Sequence, residues 1–261
     1  MPSTPPTRST PSVHSSSWVT LDRARTSDGS ELALCRRGER FALRIDGQEL
    51  MHSNSHGSEE RLAVHGCAAL VGKPGARVLV GGLGMGFTAR AALDVLPPDA
   101  EVVVVEAVAA VIAWNRDRAL LGQLARMPLE DPRLTIVEGD VADAIERANA
   151  QYDAILLDVD NGPMALTTFR NRRLYAPLGL ESARRALRGD GVLAVWSTFQ
   201  DARFTARLRE VGFDARTKRV LAGDGTSRRH VLWLARPASA GHGLGLPISS
   251  RKRYRTPATT V

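Results

Sequence analysis

The chain has 261 residues, 43% of them hydrophobic, and a formal net charge of +7. That suits one large domain, or one domain with a small appendage; no apolar run approaches the roughly 20 residues needed to cross a bilayer, and the opening "MPSTPPTRSTPSVHSSSW" lacks the apolar core of a secretory signal. Cys35 and Cys67 show neither CxxC nor Cys/His spacing, which argues against a disulfide framework or a metal site and for a reducing, cytoplasmic setting.

Residues 1–17 are rich in Ser, Thr and Pro and read as a disordered tail. Residues 18–56 carry short extended stretches, "WVTLD", "ELALC", "RFALRI" and "QELM", separated by turn signals at Ser27-Asp28-Gly29 and Asp46-Gly47. They predict a small N-terminal β-rich domain built as an antiparallel meander or hairpin pair. In "GSEERLAVHGCAALV", Leu62, Ala63, Cys67 and Leu70 fall at helical spacing.

From Ala76 the rhythm changes to alternating strands and helices. "ARVLVGG", "EVVVVEA", "LTIVEGD", "YDAILLDV" and "VLAVWST" read as strands. Between and after them, "MGFTARAALDVL", "VAAVIAWNRDRALL", "DVADAIERAN", "GLESARRALRGDG" and "ARFTARLREVGF" read as helices, the fourth ending on glycine. "DARTKRVLA" and "RRHVLWLARP" close as a hairpin across Gly223-Asp224-Gly225. Strands apolar on both faces, alternating with amphipathic helices, predict a mostly parallel sheet covered on both sides over residues 57–237. Residues 238–261 form a basic, flexible tail containing "SRKRYR". Without an aromatic-interleaved basic face beside it, this reads as a solubilising tail and not as an anchor for nucleic acid.

Gly82, Gly84 and Gly86 stand as G-x-G-x-G at the end of the first parallel strand. Glycine there lets the backbone approach a ligand closely, and the helix that follows adds free N–H groups and a positive dipole end; a tight turn packed on the sheet would use glycine too. Glu106 ends the second strand about 20 residues later, where an acid can take hydrogen bonds from ribose hydroxyls or simply be solvated. Asp140, beside Val141, follows the third strand; it either accepts from an adenine amino group or caps the next helix. Together these residues describe an adenosine site. No Gly-Lys-Ser/Thr follows the loop, which excludes a P-loop. A dinucleotide enzyme stays a rival, with Phe87 where its third glycine belongs. Asp158 and Asp160 lie past the fourth strand. Carboxylates at the mouth of such a site can bind a cationic amine and take its proton, although a strand end also uses Asp in turns. His52, His56 and His65 read as polar surface, Asn115 and Arg116 as a solvated helix end, and Trp196 as core.

Taken together, "VLVGGLGMG", "VVVVEA", "VEGDVADAI", "YDAILLDVDNGP" and "RALRGDGVLAVWS", with "FALRIDGQELMHSNSHGSEERLAVH" before them, resemble the spermidine synthase (polyamine aminopropyltransferase) family. That family lies within the class I S-adenosylmethionine-dependent methyltransferase fold. The resemblance implies a Rossmann-like α/β fold whose seven-stranded sheet has one antiparallel strand. It also implies a homodimer and an S-adenosylmethionine-type nucleoside held by Gly82, Gly84, Gly86, Glu106, Asp140 and Val141. The activity it implies is transfer of an aminopropyl group from decarboxylated S-adenosylmethionine to a small-molecule amine, with Asp158 as base, Asp160 as the second acid and no metal. The family's glycine loop carries an aspartate for the donor's ammonium where this chain has Met85. Either Glu49 or Glu60 compensates, or the co-substrate is ordinary S-adenosylmethionine and the reaction methyl transfer. Ser58 and Glu59 stand where the family has a substrate-gripping aromatic. A non-catalytic nucleoside-binding homologue is the third reading.

Overall fold

The computed structural model describes residues 17–159, 163, 171–223 and 225–238. Apart from Ser17 and Ala238, the two expected tails lie outside the described residues, as do Asp160 and Asp224.

The first four strands are β1 (Val19–Arg25), β2 (Glu31–Arg37), β3 (Arg40–Ile45) and β4 (Gln48–His52). They form an antiparallel meander in that order, as the turn signals predict. The turns at Gly29 and Gly47 take positive φ, where glycine carries no steric cost.

Helix α1 (Gly57–Gly66) leads into the α/β unit. There β5 (Arg77–Gly81), α2 (Phe87–Val95), β6 (Glu101–Glu106), α3 (Ala109–Arg116), β7 (Leu134–Glu138), α4 (Val141–Arg147) and β8 (Tyr152–Leu157) follow in turn. Next come α5 (Arg172–Tyr175), α6 (Pro177–Ala186), β9 (Leu187–Ser197), α7 (Ala202–Glu210), β10 (Phe213–Leu221) and β11 (Arg229–Pro237). The strands order as β10-β11-β9-β8-β5-β6-β7. β5 to β9 are parallel, and β11 runs antiparallel to both of its neighbours. The sheet thus has seven strands with one reversed, as the resemblance implies.

Alternation along each strand sorts the core into two layers. Val78, Val80, Val104, Leu156 and Ala194 face the layer of α1, α2 and α3. Leu79, Val103, Ile155, Leu193 and Trp233 face the layer of α4 to α7. Leu32, Leu34, Phe41 and Leu43 of the small sheet join the first layer, so both sheets share one apolar cluster. The Trp114 indole N–H donates to Asp22 Oδ2 at 2.7 Å, tying α3 to β1.

Two helices end five residues earlier than their sequence suggests. α3 stops at Arg116 and not near Leu121, because Asp117 turns extended and its carbonyl accepts from both Leu120 and Gly122. α6 stops at Ala186 and not at Gly191. Its last carbonyls, on Arg185 and Ala186, accept at 2.8 Å from Ala150 and Gln151, so Leu187 is free to open β9.

Asp153, 0% exposed on β8, holds the edge of the sheet away from the glycine loop. Its carboxylate accepts from the Arg77 backbone N–H at 2.7 Å and from Arg188 at 2.6 Å, and Lys73 Nζ lies 2.8 Å away. Asp153→Ala removes all three partners at once. Lys73 and Arg188 are part-exposed and can turn to water, so the expected loss is about 2–3 kcal/mol, that of charge-assisted hydrogen bonds and not of a stranded buried ion. Urea unfolding at an unchanged m-value measures it.

Candidate active site

The site begins where β5 runs into its glycines. Gly82, Gly84 and Gly86 all take positive φ, +87°, +51° and +84°. At Gly82 a Cβ would sit 2.4 Å from the Asp158 carbonyl oxygen, an overlap no side chain survives. The neighbouring backbones are bonded to match: Asp158 N–H donates to Gly81 O at 3.0 Å, and Gly82 N–H to Val105 O at 2.9 Å. The tips of β8, β5 and β6 are therefore locked side by side, at the point where successive connections leave the sheet in opposite directions and open-sheet proteins have their crevice.

Glu106 lies behind the loop. Its Oε2 accepts from Leu83 N–H and its Oε1 from Val108 N–H, at 2.8 and 2.9 Å. Burial raises its pKa against these bonds. The backbone N–H groups of Gly84 and Ala107 also favour its charged form. Asp140 is the cap of α4, its Oδ1 accepting from Ala142 N–H at 2.8 Å. Its Oδ2 pairs with Arg173 at 2.9 Å, and Arg173 also pairs with Asp143.

A cavity of about 390 Å³ opens over these strand tips. Gly82, Gly84, Glu106, Asp140, Val141 and Asp158 all line it. Gly86 does not; a Cβ there would strike Pro128 at 2.8 Å, so its task is packing at the start of α2. Leu32, Leu43, Ile45, Leu50 and Met51 of the small sheet form the opposite wall. Asp160, expected as the second acid, lies outside the described residues.

Five carboxylates line this cavity, on Glu59, Glu106, Asp140, Asp143 and Asp158, and no Lys, Arg or His side chain does among the described residues. Neither Asp143 nor Glu59 is among the site residues expected from the sequence, and Glu59 is the more buried of the two. It sits on α1 and is 7% exposed. Ser58 Oγ donates to Glu59 Oε2 at 2.5 Å and lies 2.9 Å from His230 Nδ1 on β11. Thr88 Oγ1 donates to Asp158 Oδ2 at 2.5 Å. Burial raises the pKa of both acids. The negative charge of Asp158 adds to the rise at Glu59, and the Thr88 hydrogen bond limits it at Asp158. Burial, with the nearby Arg228 charge, lowers His230 to about 4, so its imidazole is neutral.

Neither acid expected to compensate for Met85 reaches the cavity. Glu60 pairs with His56 at 2.9 Å, and Glu49 stands 4.0 Å from His52. Met85 itself is 1% exposed and packs in the core. Asn115 is buried and not solvated: its amide donates at 2.9 Å to Gly84 O, bracing the loop, and to Val111 O. Trp196 is core as expected and also lines the cavity, edge-on to His230 with ring centroids 4.7 Å apart. His56 stacks on Phe87 at 4.0 Å. None of His52, His56 and His65 lines the cavity.

The strand order and the glycine crevice define a Rossmann-like, methyltransferase-type fold, with an added β-meander. Among solved structures the chain is similar to spermidine synthases. A spermidine synthase in complex with the transition state analogue AdoDATO is 19% identical, with a TM-score of 0.63 over 83% of this chain and 71% of that one. The enzyme from Thermotoga maritima gives 18% and 0.63 over the same shares. A probable spermidine synthase from Corynebacterium glutamicum gives 19% and 0.58, over 83% and 79%. The chain has the spermidine synthase fold. No protein-family model matches it, and no curated protein does.

The raised pKa of Glu59 has a consequence for stability. The folded chain keeps this proton up to about pH 8, whereas an unfolded Glu releases it near the ordinary 4.5. The folded state thus binds more protons between those values, and stability falls as pH rises through them. Glu59→Gln should flatten that decline, leaving the melting temperature at pH 8 closer to its pH 5 value than in the parent; melting curves across the interval measure it.

Proposed function

We propose that the chain is a transferase of the spermidine synthase kind. It binds an S-adenosylmethionine-type sulfonium nucleoside and passes the aminopropyl group to a small-molecule amine. The observation that carries this reading is the convergence of the glycine loop, Glu106, Asp140 and Asp158 on one cavity lined by five carboxylates and, among the described residues, no cationic side chain. Such a cavity favours a ligand that brings its own positive charge, as a sulfonium and an ammonium both do. The AdoDATO-bound spermidine synthase with the same fold supports a nucleoside of this class.

In this reading Glu106 takes the ribose hydroxyls and Asp140 the adenine amino group, beside Val141. Gly82 and Gly84 leave room for the nucleoside above the loop. Asp158 serves as the base. The amine arrives as an ammonium and gives one proton to Asp158. Its nitrogen then attacks the carbon next to sulfur, and the carbon–sulfur bond breaks with its electron pair on sulfur. The products are a neutral thioether and a secondary ammonium. A general base of this kind is worth about 10²–10⁴ in rate.

Met85 favours methyl transfer as a second reading. With that side chain in the core, the glycine loop presents no carboxylate to the ammonium of a decarboxylated donor. S-adenosylmethionine carries a carboxylate that offsets its own ammonium.

Titration with S-adenosylmethionine, its decarboxylated form and methylthioadenosine, followed by incubation with putrescine and mass analysis, separates the readings. Tighter binding of the decarboxylated form with spermidine produced supports the first. Preference for the carboxylated form, with S-adenosylhomocysteine produced, supports the second. Asp158→Asn should lower kcat at least about 100-fold while nucleoside binding stays within a few-fold. A base must be ionised to act, so the parent's rate should fall as pH drops through the region near 6 where Asp158 takes up its proton.

A further inference from the structure

The reaction above leaves Glu59 without a task, although a buried chain of hydrogen bonds holds its carboxyl in the cavity wall. Ser58, 0% exposed, bonds it from behind, and His230, 7% exposed, bonds Ser58 in turn from a strand 172 residues away in sequence. Glu59 Oε1 accepts from no other residue among the described ones, and Glu59 lines the cavity. Asp158 lines the same cavity, and Thr88 links the two: its Oγ1 donates to Asp158 and lies 3.4 Å from the Glu59 carbonyl.

The groups around this pair supply no positive charge. Glu60, next on α1, adds a like charge. His230 on β11 is neutral, and Arg228 acts on His230. Two carboxylates in a low-dielectric wall do not both ionise unless a cation joins them. The chain offers none here among the described residues, so the cation comes with the ligand.

We propose that Glu59 and Asp158 form a two-carboxylate clamp for the ammonium of a primary-amine acceptor, Asp158 ionised beforehand and Glu59 giving up its proton as the cation enters. This rests on the reading of the cavity as a sulfonium and amine site. A primary ammonium carries three N–H donors and can bond both carboxylates at once, whereas a quaternary ammonium has no donor to offer. Ser58 and His230 are positioning residues that hold the Glu59 carboxyl toward the cavity. The raised pKa of Glu59 agrees with a proton kept in the empty clamp.

The test is calorimetric titration of the full chain with putrescine and with tetramethylammonium. It is run near neutral pH, with and without methylthioadenosine, in two buffers of different ionisation heat. The clamp requires release of about one proton per putrescine bound. Glu59→Gln should remove most of that release and weaken putrescine at least about tenfold, the scale of a lost charge-assisted hydrogen bond. Ser58→Ala should weaken binding but keep the proton release, which a purely structural loss would not do. Tetramethylammonium should bind at least about tenfold more weakly than putrescine. The clamp is overturned if putrescine does not bind the parent, if no proton is released, or if Glu59→Gln releases the same proton. Should that variant fail to fold, a quaternary ion binding as tightly as the diamine overturns it equally. If methylthioadenosine does not bind but putrescine still releases the proton, the nucleoside reading falls and the clamp stands.

Discussion

At Gly82 two stretches of backbone pass closer than a methyl group allows. The Asp158 carbonyl oxygen lies 2.4 Å from the place where a Cβ would be, and φ of +87° lies in the region glycine favours. Much else follows from this approach. It lets Asp158 N–H bond Gly81 O, which seats Asp158 beside the glycine turn. It also turns the chain so that Leu83 N–H meets Glu106, fixing the tip of β6 against that of β5. Asn115, reaching from α3 to Gly84 O, braces the same turn from the other side. The crevice is thus shaped by backbone hydrogen bonds among strand tips, and its side chains are mounted on a frame that varies little with their identity.

Charge is distributed in opposition to the whole molecule. The chain is basic overall, at +7, yet five carboxylates line its cavity among the described residues. Arg173 offsets two of them, Asp140 and Asp143. Glu106 is offset by backbone N–H groups alone. Among the described residues, the side chains that donate to Glu59 and Asp158 are hydroxyls. Polarity is therefore graded across one chamber, from a neutralised end near α4 to an uncompensated end near α1. A bifunctional occupant, with a hydrogen-bonding heterocycle at one end and a cationic centre at the other, suits that gradient.

The frame was legible in the sequence because its signals are local. A glycine run after a β-branched strand and an acid at each of the next strand ends mark Gly82, Gly84, Glu106, Asp140 and Asp158 without knowledge of tertiary contacts. Both open functions of Asp140 concern the same carboxylate, and the structure gives it the helix cap directly. Glu59 could not be read in this way. Its neighbours in sequence suggest an amphipathic helix start, and only the nearby charge of Asp158 and the link to His230 through Ser58 reveal its setting. Asn115 escaped for the same reason: a polar residue near a helix end looks solvated until the loop it braces is folded over it. The early ends of α3 and α6 depend on carbonyls being taken by other segments, a fact that periodicity does not carry.

The Asp22–Trp114 bond and the shared apolar cluster mean that the meander is not a detachable ornament. Leu32, Leu43 and Met51 furnish one side of the chamber whose floor is made by the strand tips. A shortened chain starting at Gly57 would keep the floor but exchange an enclosed chamber for an open trough, with Leu62 and its neighbours stripped of cover. Engineering that treats the α/β unit as a self-sufficient module would discard one wall of the container.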